Sequence, residues 1–243
     1  MCTVTYLPTQ KGYILTSSRD EYNLRTTMIP LPYQLYNQTI TFPKDEKAGG
    51  TWIAASDSNR VACLLNGAFE NFEHQDHYVV SRGKILLDFF SYPDAKSFIE
   101  GIDCSQVAPF TLLMLQGVSD IKFTQFRWDG IRKFIKIIDP SKPKIWASAT
   151  LYDIIQREER KNWFEKWLSN DVFLSSDKMK SFHTANHTSD TSNNIVMKRD
   201  QGLQTVSVTQ ILSNQGSLLM HYHDFIQNSK FDLNIPLCDQ VLS

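Results

Sequence analysis

The chain has 243 residues, 42% hydrophobic and 21% charged, which is enough apolar material for a substantial core and too much for a disordered chain. Its 25 Lys and Arg nearly balance its 26 Asp and Glu, which leaves no electrostatic footprint for nucleic acid and no basic face for an anionic membrane. The four cysteines, at positions 2, 63, 104 and 238, have neither metal nor redox spacing, are too few for a disulfide framework, and fit a reducing cytoplasm.

The first fifteen residues, MCTVTYLPTQKGYIL, have no charged start leading into a long apolar run, so no signal peptide is expected, and no stretch is long enough to span a bilayer. Residues 3–7 and 12–18 are rich in β-branched and aromatic types and flank turn chemistry, which predicts a hairpin. Residues 28–38 carry Pro30 and Pro32 and read as a loop. Gly49-Gly50 then leads into a strand over 51–56, and a second strand over 60–65 ends at Asn66-Gly67. A polar loop at 70–77 precedes a helical stretch over 81–101, broken at Pro93. Residues 110–116 form a buried-strand pattern, 121–128 alternate as its partner, and Asp129-Gly130 turns the chain into a strand over 131–138. One more strand is expected over 144–149.

Residues 152–168 carry the clearest helical pattern, with Ile155, Trp163, Phe164 and Trp167 near one face. The cluster from Arg157 to Lys166 is interleaved with Glu158, Glu159 and Glu165, as on a solvated helix face. A second helix is expected over 171–182, a polar and mobile loop over 183–194, and two strands over 203–212 and 217–223. Strands, helices, strands, helices and strands in that order suit α+β layers better than a βαβ sheet, within one domain spanning residues 1–243.

Cys2 is the first candidate for chemistry. Removal of Met1 would put a thiol and a free α-amine on one residue. An α-amine titrates near pH 7.7–8.0, so nucleophile and base would come together without a histidine. Ser18-Arg19-Asp20-Glu21 closes the second strand, and an antiparallel hairpin would bring Arg19 and Asp20 beside Cys2. There Arg19 would stabilise a thiolate or oxyanion, and Asp20 would hold the amine. At the end of the 60–65 strand, the Asn66 side chain and the Gly67 N–H would supply an oxyanion hole, although a plain turn explains the same pair.

The segments MCT, SRDEYNLR, GGTWIAAS, VACLLNG, WASATLYD, WFEKWL and TVSVTQI occur in this order between Met1 and Tyr222. The ordered set resembles the NRDE family, also called transport and Golgi organisation protein 2-like, which is related to the N-terminal-nucleophile (Ntn) hydrolases of the choloylglycine hydrolase and penicillin acylase group. The resemblance implies a four-layer αββα sandwich with mainly antiparallel sheets. It implies Cys2 as nucleophile, Arg19 and Asp20 beside it, Asn66 near the oxyanion, and hydrolysis of a non-peptide C–N amide through a thioester. Two departures stand out. Ser18 replaces the first Asn of the name-giving tetrad, and Ser148 stands where related sequences often carry Asn. A serine donates one hydrogen bond without an amide's reach. Ser148 and Gly67 are taken as substrate-binding positions.

Two functions lead, with cleavage of short peptides such as dipeptides as a weaker third. One is an Ntn amidase acting on a small amide. The other is a binding or trafficking protein on a retired hydrolase fold, holding a lipid-like, acyl-CoA-like or haem ligand. No cofactor or metal is expected: His221 and His223 share a strand face, and His183 and His187 are four apart on a loop, but neither pair has a completing ligand. Cys63 reads as a small buried hydrophobe, and the Trp163, Phe164 and Trp167 stripe as core.

Overall fold

Val4 and Tyr6 alternate with Thr3 and Thr5, and a period of two sends these sets to opposite faces of a strand. In the computed structural model, which describes residues 3–73, 75–170, 175–214 and 216–238, this segment is β1 (Thr3–Thr9). It pairs antiparallel with β2 (Gly12–Tyr22), Thr3 opposite Ser18. Four strands follow: β3 (Thr27–Leu35), β4 (Gln38–Asp45), β5 (Ile53–Ser56) and β6 (Arg60–Asn66). Helices α1 (Arg82–Asp88) and α2 (Ala95–Gly101) come next, with a short 3₁₀ turn at Phe89–Ser91 between them. The chain continues through β7 (Phe110–Gln116), β8 (Lys122–Trp128), β9 (Lys133–Ile137) and β10 (Lys144–Ala147). Helices α3 (Ile154–Asn170) and α4 (Ser176–Thr184) lead to β11 (Leu203–Asn214), β12 (Ser217–Asp224) and β13 (Ser229–Pro236).

The strands form two antiparallel sheets. One has the order β10-β1-β2-β11-β12-β13, the other β3-β4-β5-β6-β7-β8-β9. Val4, Tyr6, Tyr13 and Leu15 of the first sheet join the same apolar core as Ile40, Val61, Leu113 and Phe123 of the second, and the Tyr6 and Phe123 rings lie 4.7 Å apart. The opposite face of the first sheet presents Leu7 and Ile14 to Phe164 of α3 and to Met179 and Phe182 of α4. Ile85, Leu86, Phe98 and Ile99 of α1 and α2 close the core on the far side of the second sheet. The central strands of each sheet thus bury both faces, while the edge strands β3 and β9 stay largely exposed. The expected α+β sandwich of αββα type is the observed one.

Several local expectations are corrected. Residues 28–38, read as a loop, instead hold the first residue of β4 and all of β3 but its first residue. Its prolines are tolerated because β3 is an edge strand with a register irregularity between Met28 and Leu31, so no ladder hydrogen bond is required of either ring. Strands β4 and β13 had no counterpart in the sequence reading. Residues 131–138 and 144–149 shorten to β9 and β10. Helix α3 begins with Ile154 and Ile155 both exposed, and its two buried residues are Arg160 and Phe164. The charged run is therefore not uniformly solvated. Arg160 lies over the Tyr152 ring at 3.4 Å and donates to Asn193 and to the Asn194 carbonyl. Those bonds also anchor the 183–194 segment, whose buried His183, Asn193 and Asn194 correct the expectation of a loose loop. Of the helix expected over 171–182, residues 171–174 lie outside the described residues, and α4 runs on to include His183.

Candidate functional site

Strand β2 extends four residues past Ser18, so Arg19 and Asp20 sit inside the ladder and are 3% and 2% exposed, not on a charged rim. Neighbouring residues of a strand face opposite sides, and the two side chains diverge accordingly. Arg19 points to the second sheet. Its guanidinium donates to Asp45 Oδ2 at 2.6 Å and to Thr27 Oγ1 at 2.6 Å, and it lies 4.4 Å over the Trp52 ring. Burial pulls its pKa down and Asp45 opposes that pull, so the ion pair keeps the charge in place. Asp20 points to the helical side and accepts from Tyr152 Oη at 2.7 Å and Thr205 Oγ1 at 2.5 Å. Opposite this pair, β11 carries a bulge between Thr205 and Ser207, a device that re-aims side chains beside sites.

Arg19 opens onto a cleft of about 100 Å³, lined also by Glu21, Arg25, Asp45, Asn66 and Arg82. Arg25 bridges Asp45 at 2.7 Å and Glu21 at 3.0 Å. Arg82 reaches the Pro109 carbonyl at 3.3 Å, and burial, with the nearby Arg25 charge, lowers its pKa to about 10. Three arginines thus face two carboxylates. The position of Arg82 depends on glycine. A Cβ on Gly50 would sit 2.5 Å from the Gly83 carbonyl carbon, so only bare backbone lets the start of α1 approach this wall.

Asn66 ends β6 on the same cleft, and its side-chain amide has no hydrogen-bond partner among the described residues. Gly67 has φ +80°, and its N–H donates to the Pro109 carbonyl at 2.9 Å. That N–H is therefore already engaged. Ser148 is fully buried behind Asn66, donating from Oγ to the Asn66 carbonyl at 2.9 Å, with Thr150 Oγ1 3.0 Å away. It ties β10 of one sheet to β6 of the other and does not line the cleft. The structure thus gathers Arg19 and Asn66 at one cavity, sets Ser148 and Gly67 in the frame behind it, and turns Asp20 away. Cys2 lies outside the described residues. Its sequence neighbour Thr3 pairs with Ser18, the residue before Arg19.

With this geometry in view, comparison with known proteins is informative. The family model described as Transport and Golgi organisation 2 matches residues 1–227. The chain belongs to the Transport and Golgi organisation 2 family. No curated protein matches. Among solved structures, this family member is similar to the N-acylethanolamine-hydrolyzing acid amidase ortholog of Caenorhabditis elegans, with TM-score 0.55, 8% identity, and coverage of 87% of this chain and 93% of that one. It is also similar to two variants of conjugated bile acid hydrolase from Clostridium perfringens. Their TM-scores are 0.58 and 0.53 and their identities 7% and 9%; each pairing covers 96% of this chain and 92% of the other. At such identities the likeness establishes the Ntn-hydrolase fold of this Transport and Golgi organisation 2 protein. No helix among the described residues is long and apolar enough to cross a membrane.

The sequence reading missed Arg25, Asp45, Trp52 and Arg82 as cleft residues. Arg25 and Glu21 were within reach, since both lie in the SRDEYNLR segment. Asp45 and Arg82 gave no local signal, because sheet pairing and the Gly50–Gly83 contact bring them in from distant parts of the chain.

Proposed function

We propose that the protein is an Ntn hydrolase that cleaves a non-peptide C–N bond in a small amide, in the cytoplasm, with Cys2 as nucleophile once Met1 is removed. One juxtaposition carries the reading. Thr3, one residue after Cys2, pairs with Ser18, one residue before Arg19, and Arg19 shares its cleft with the unengaged Asn66 amide. In the proposed reaction the α-amine accepts the thiol proton as Cys2 Sγ attacks the carbonyl carbon. Arg19 and Asn66 stabilise the oxyanion. The C–N bond then breaks, the leaving nitrogen takes the proton, and water hydrolyses the thioester to free acid and thiol. Ser148 holds the Asn66 backbone in place, Gly67 supplies the turn that ends β6, and Asp20 braces β2 against Tyr152 and Thr205. One structural neighbour is named an amidase and another a conjugated bile acid hydrolase, which supports small, lipid-like amides as the substrate class.

The competing reading is a retired hydrolase that binds a lipid-like, acyl-CoA-like or haem ligand. It draws on the Gly67 N–H, which is spent on Pro109 and lost to an oxyanion hole. A single set of measurements separates the two. Intact mass should show loss of Met1, and a panel of N-acyl amides should be turned over with activity falling at least about 10³-fold in Cys2→Ala. Activity with Met1 retained, or undiminished in Cys2→Ala, would sink the hydrolase mechanism. No turnover, together with a ligand that co-purifies in native mass spectrometry, would favour the binding protein.

A further inference from the structure

A second concave surface lies where β10 meets the β8–β9 hairpin and the start of α3. This groove encloses about 280 Å³ and is lined by Arg127 of β8, Lys136 of β9, Lys144 and Trp146 of β10, and Arg157 and Lys161 of α3. Its one lining carboxylate, Glu158, is paired with Lys161 at 3.2 Å. Arg160 also lines the groove but spends its guanidinium on Asn193 and the Asn194 carbonyl. Of the other cations, Arg127, Lys136, Lys144 and Arg157 have no carboxylate within ion-pair distance among the described residues. In a chain of net charge −1, four uncompensated cations converging from four elements are a local asymmetry that the overall charge conceals.

The cations are held in place. Arg127 lies 4.8 Å over the Phe69 ring, and its Nε is sealed from solvent without a hydrogen-bond partner. Arg157 donates to the Phe69 carbonyl at 2.8 Å, and Lys144 lies 5.6 Å from the Trp146 ring centre. Burial and the neighbouring Arg157 lower the Arg127 pKa. Burial, Lys136 and Arg127 lower that of Lys144. Neighbouring cations add to the burial effect in both shifts, so the charges repel one another across the groove and an anion between them would offset that repulsion. A single monovalent anion would leave most of that repulsion in place. A recess at the small end of the usual range of about 300–1,000 Å³ for ligand sites suits a compact, highly charged group.

We propose that this groove binds a ligand carrying two phosphate groups, with Arg127 and Arg157 as bidentate donors and Lys136 and Lys144 as flanking charges. The inference stands independently of the hydrolase reading, because the groove shares no residue with the Arg19 cleft. Calorimetric titration of the full chain with inorganic pyrophosphate should show saturable binding that weakens with added salt. The double variant Lys136→Gln/Lys144→Gln should weaken it about tenfold or more, while Lys122→Gln, on the same hairpin but away from the groove, should leave it unchanged. Thermal unfolding of each variant checks that the fold is retained. Vesicles containing a phosphatidylinositol bisphosphate present the same chemistry on a headgroup. Binding only to these, lost in the double variant, supports the groove and assigns a lipid source. Binding to neither probe overturns the proposal. So does binding that survives the double variant but disappears in Arg82→Gln, since the anion would then occupy the Arg19 cleft.

Discussion

His183 shows how neighbours decide the state of one side chain. It is fully buried under β1 and β2, with Nε2 2.7 Å from Thr5 Oγ1 and Nδ1 2.8 Å from Ser18 Oγ. Thr5 donates its hydroxyl hydrogen to Met179 Sδ at 3.1 Å, so it accepts from Nε2–H, and Nδ1 accepts from Ser18. One donor and one acceptor are satisfied in the neutral ring, and a second ring proton would bring an unpaired positive charge into a fully buried site. Burial first, and then His187, push the pKa from 6.5 down to about 3. Because the unfolded chain binds a proton that the folded chain refuses, this residue's contribution is complete above pH 6.5 and is lost as pH falls toward 3. His183→Gln should therefore be less stable than the parent at neutral pH, and the gap should narrow by about 2 kcal/mol between about pH 7 and about pH 5. Urea unfolding at both values measures it, and a gap independent of pH would count against a neutral His183. The same contact gives Ser18 a use for its hydroxyl that the name-giving Asn of the motif would have to meet differently.

At the scale of elements, α1 is placed by contact and not by propensity. Gly83 is its second residue, where helix preference alone would favour alanine by up to about 1 kcal/mol. A Cβ there would lie 2.7 Å from the Thr51 carbonyl oxygen and 2.8 Å from the Thr51 nitrogen, both backbone atoms that cannot swing away. Gly83→Ala should therefore destabilise the fold by about 1–3 kcal/mol despite the better helix former. It should also shift Arg82 out of the cleft wall. Thermal unfolding settles the sign, and a raised midpoint would show that the wall can yield. Elements that were legible share a clear period of two and strong turns, as in β1–β2, β5–β6 and β7–β8. Strand β13 alternates too, but as an edge strand its outward half is Lys230, Asp232 and Asn234, which reads as a polar linker. Helix α3 was legible as a helix but not in its facing, since an arginine fills the inward position that a hydrophobe ordinarily takes.

For the whole molecule, the two-sheet core sets thiol chemistry. Cys63 lies between layers with no exposure, and burial pushes its thiol up to about 12. Cys104, also buried, is pushed up to about 11. Neither supplies a thiolate near neutrality. Alkylation of the folded protein at near-neutral pH should leave both unmodified, and both should react once denaturant unfolds the chain, as read by peptide mass spectrometry. Labelling of Cys63 without unfolding would mean that the sheets separate locally.

The sequence by itself determined the α+β class, the family, the strand hairpins at the core, and Arg19 and Asn66 as residues to watch. These depend on local periodicity, turn residues and an ordered series of segments. Only the tertiary structure decided that Arg19 and Asp20 face opposite ways and that Ser148 braces Asn66 from behind. It alone showed the Gly67 N–H already in use, and four cations left unpaired beside a chain of balanced charge. The reason is physical: a strand's sequence tells which residues alternate, but the partner of each buried polar group comes from whichever distant strand or helix packs against it.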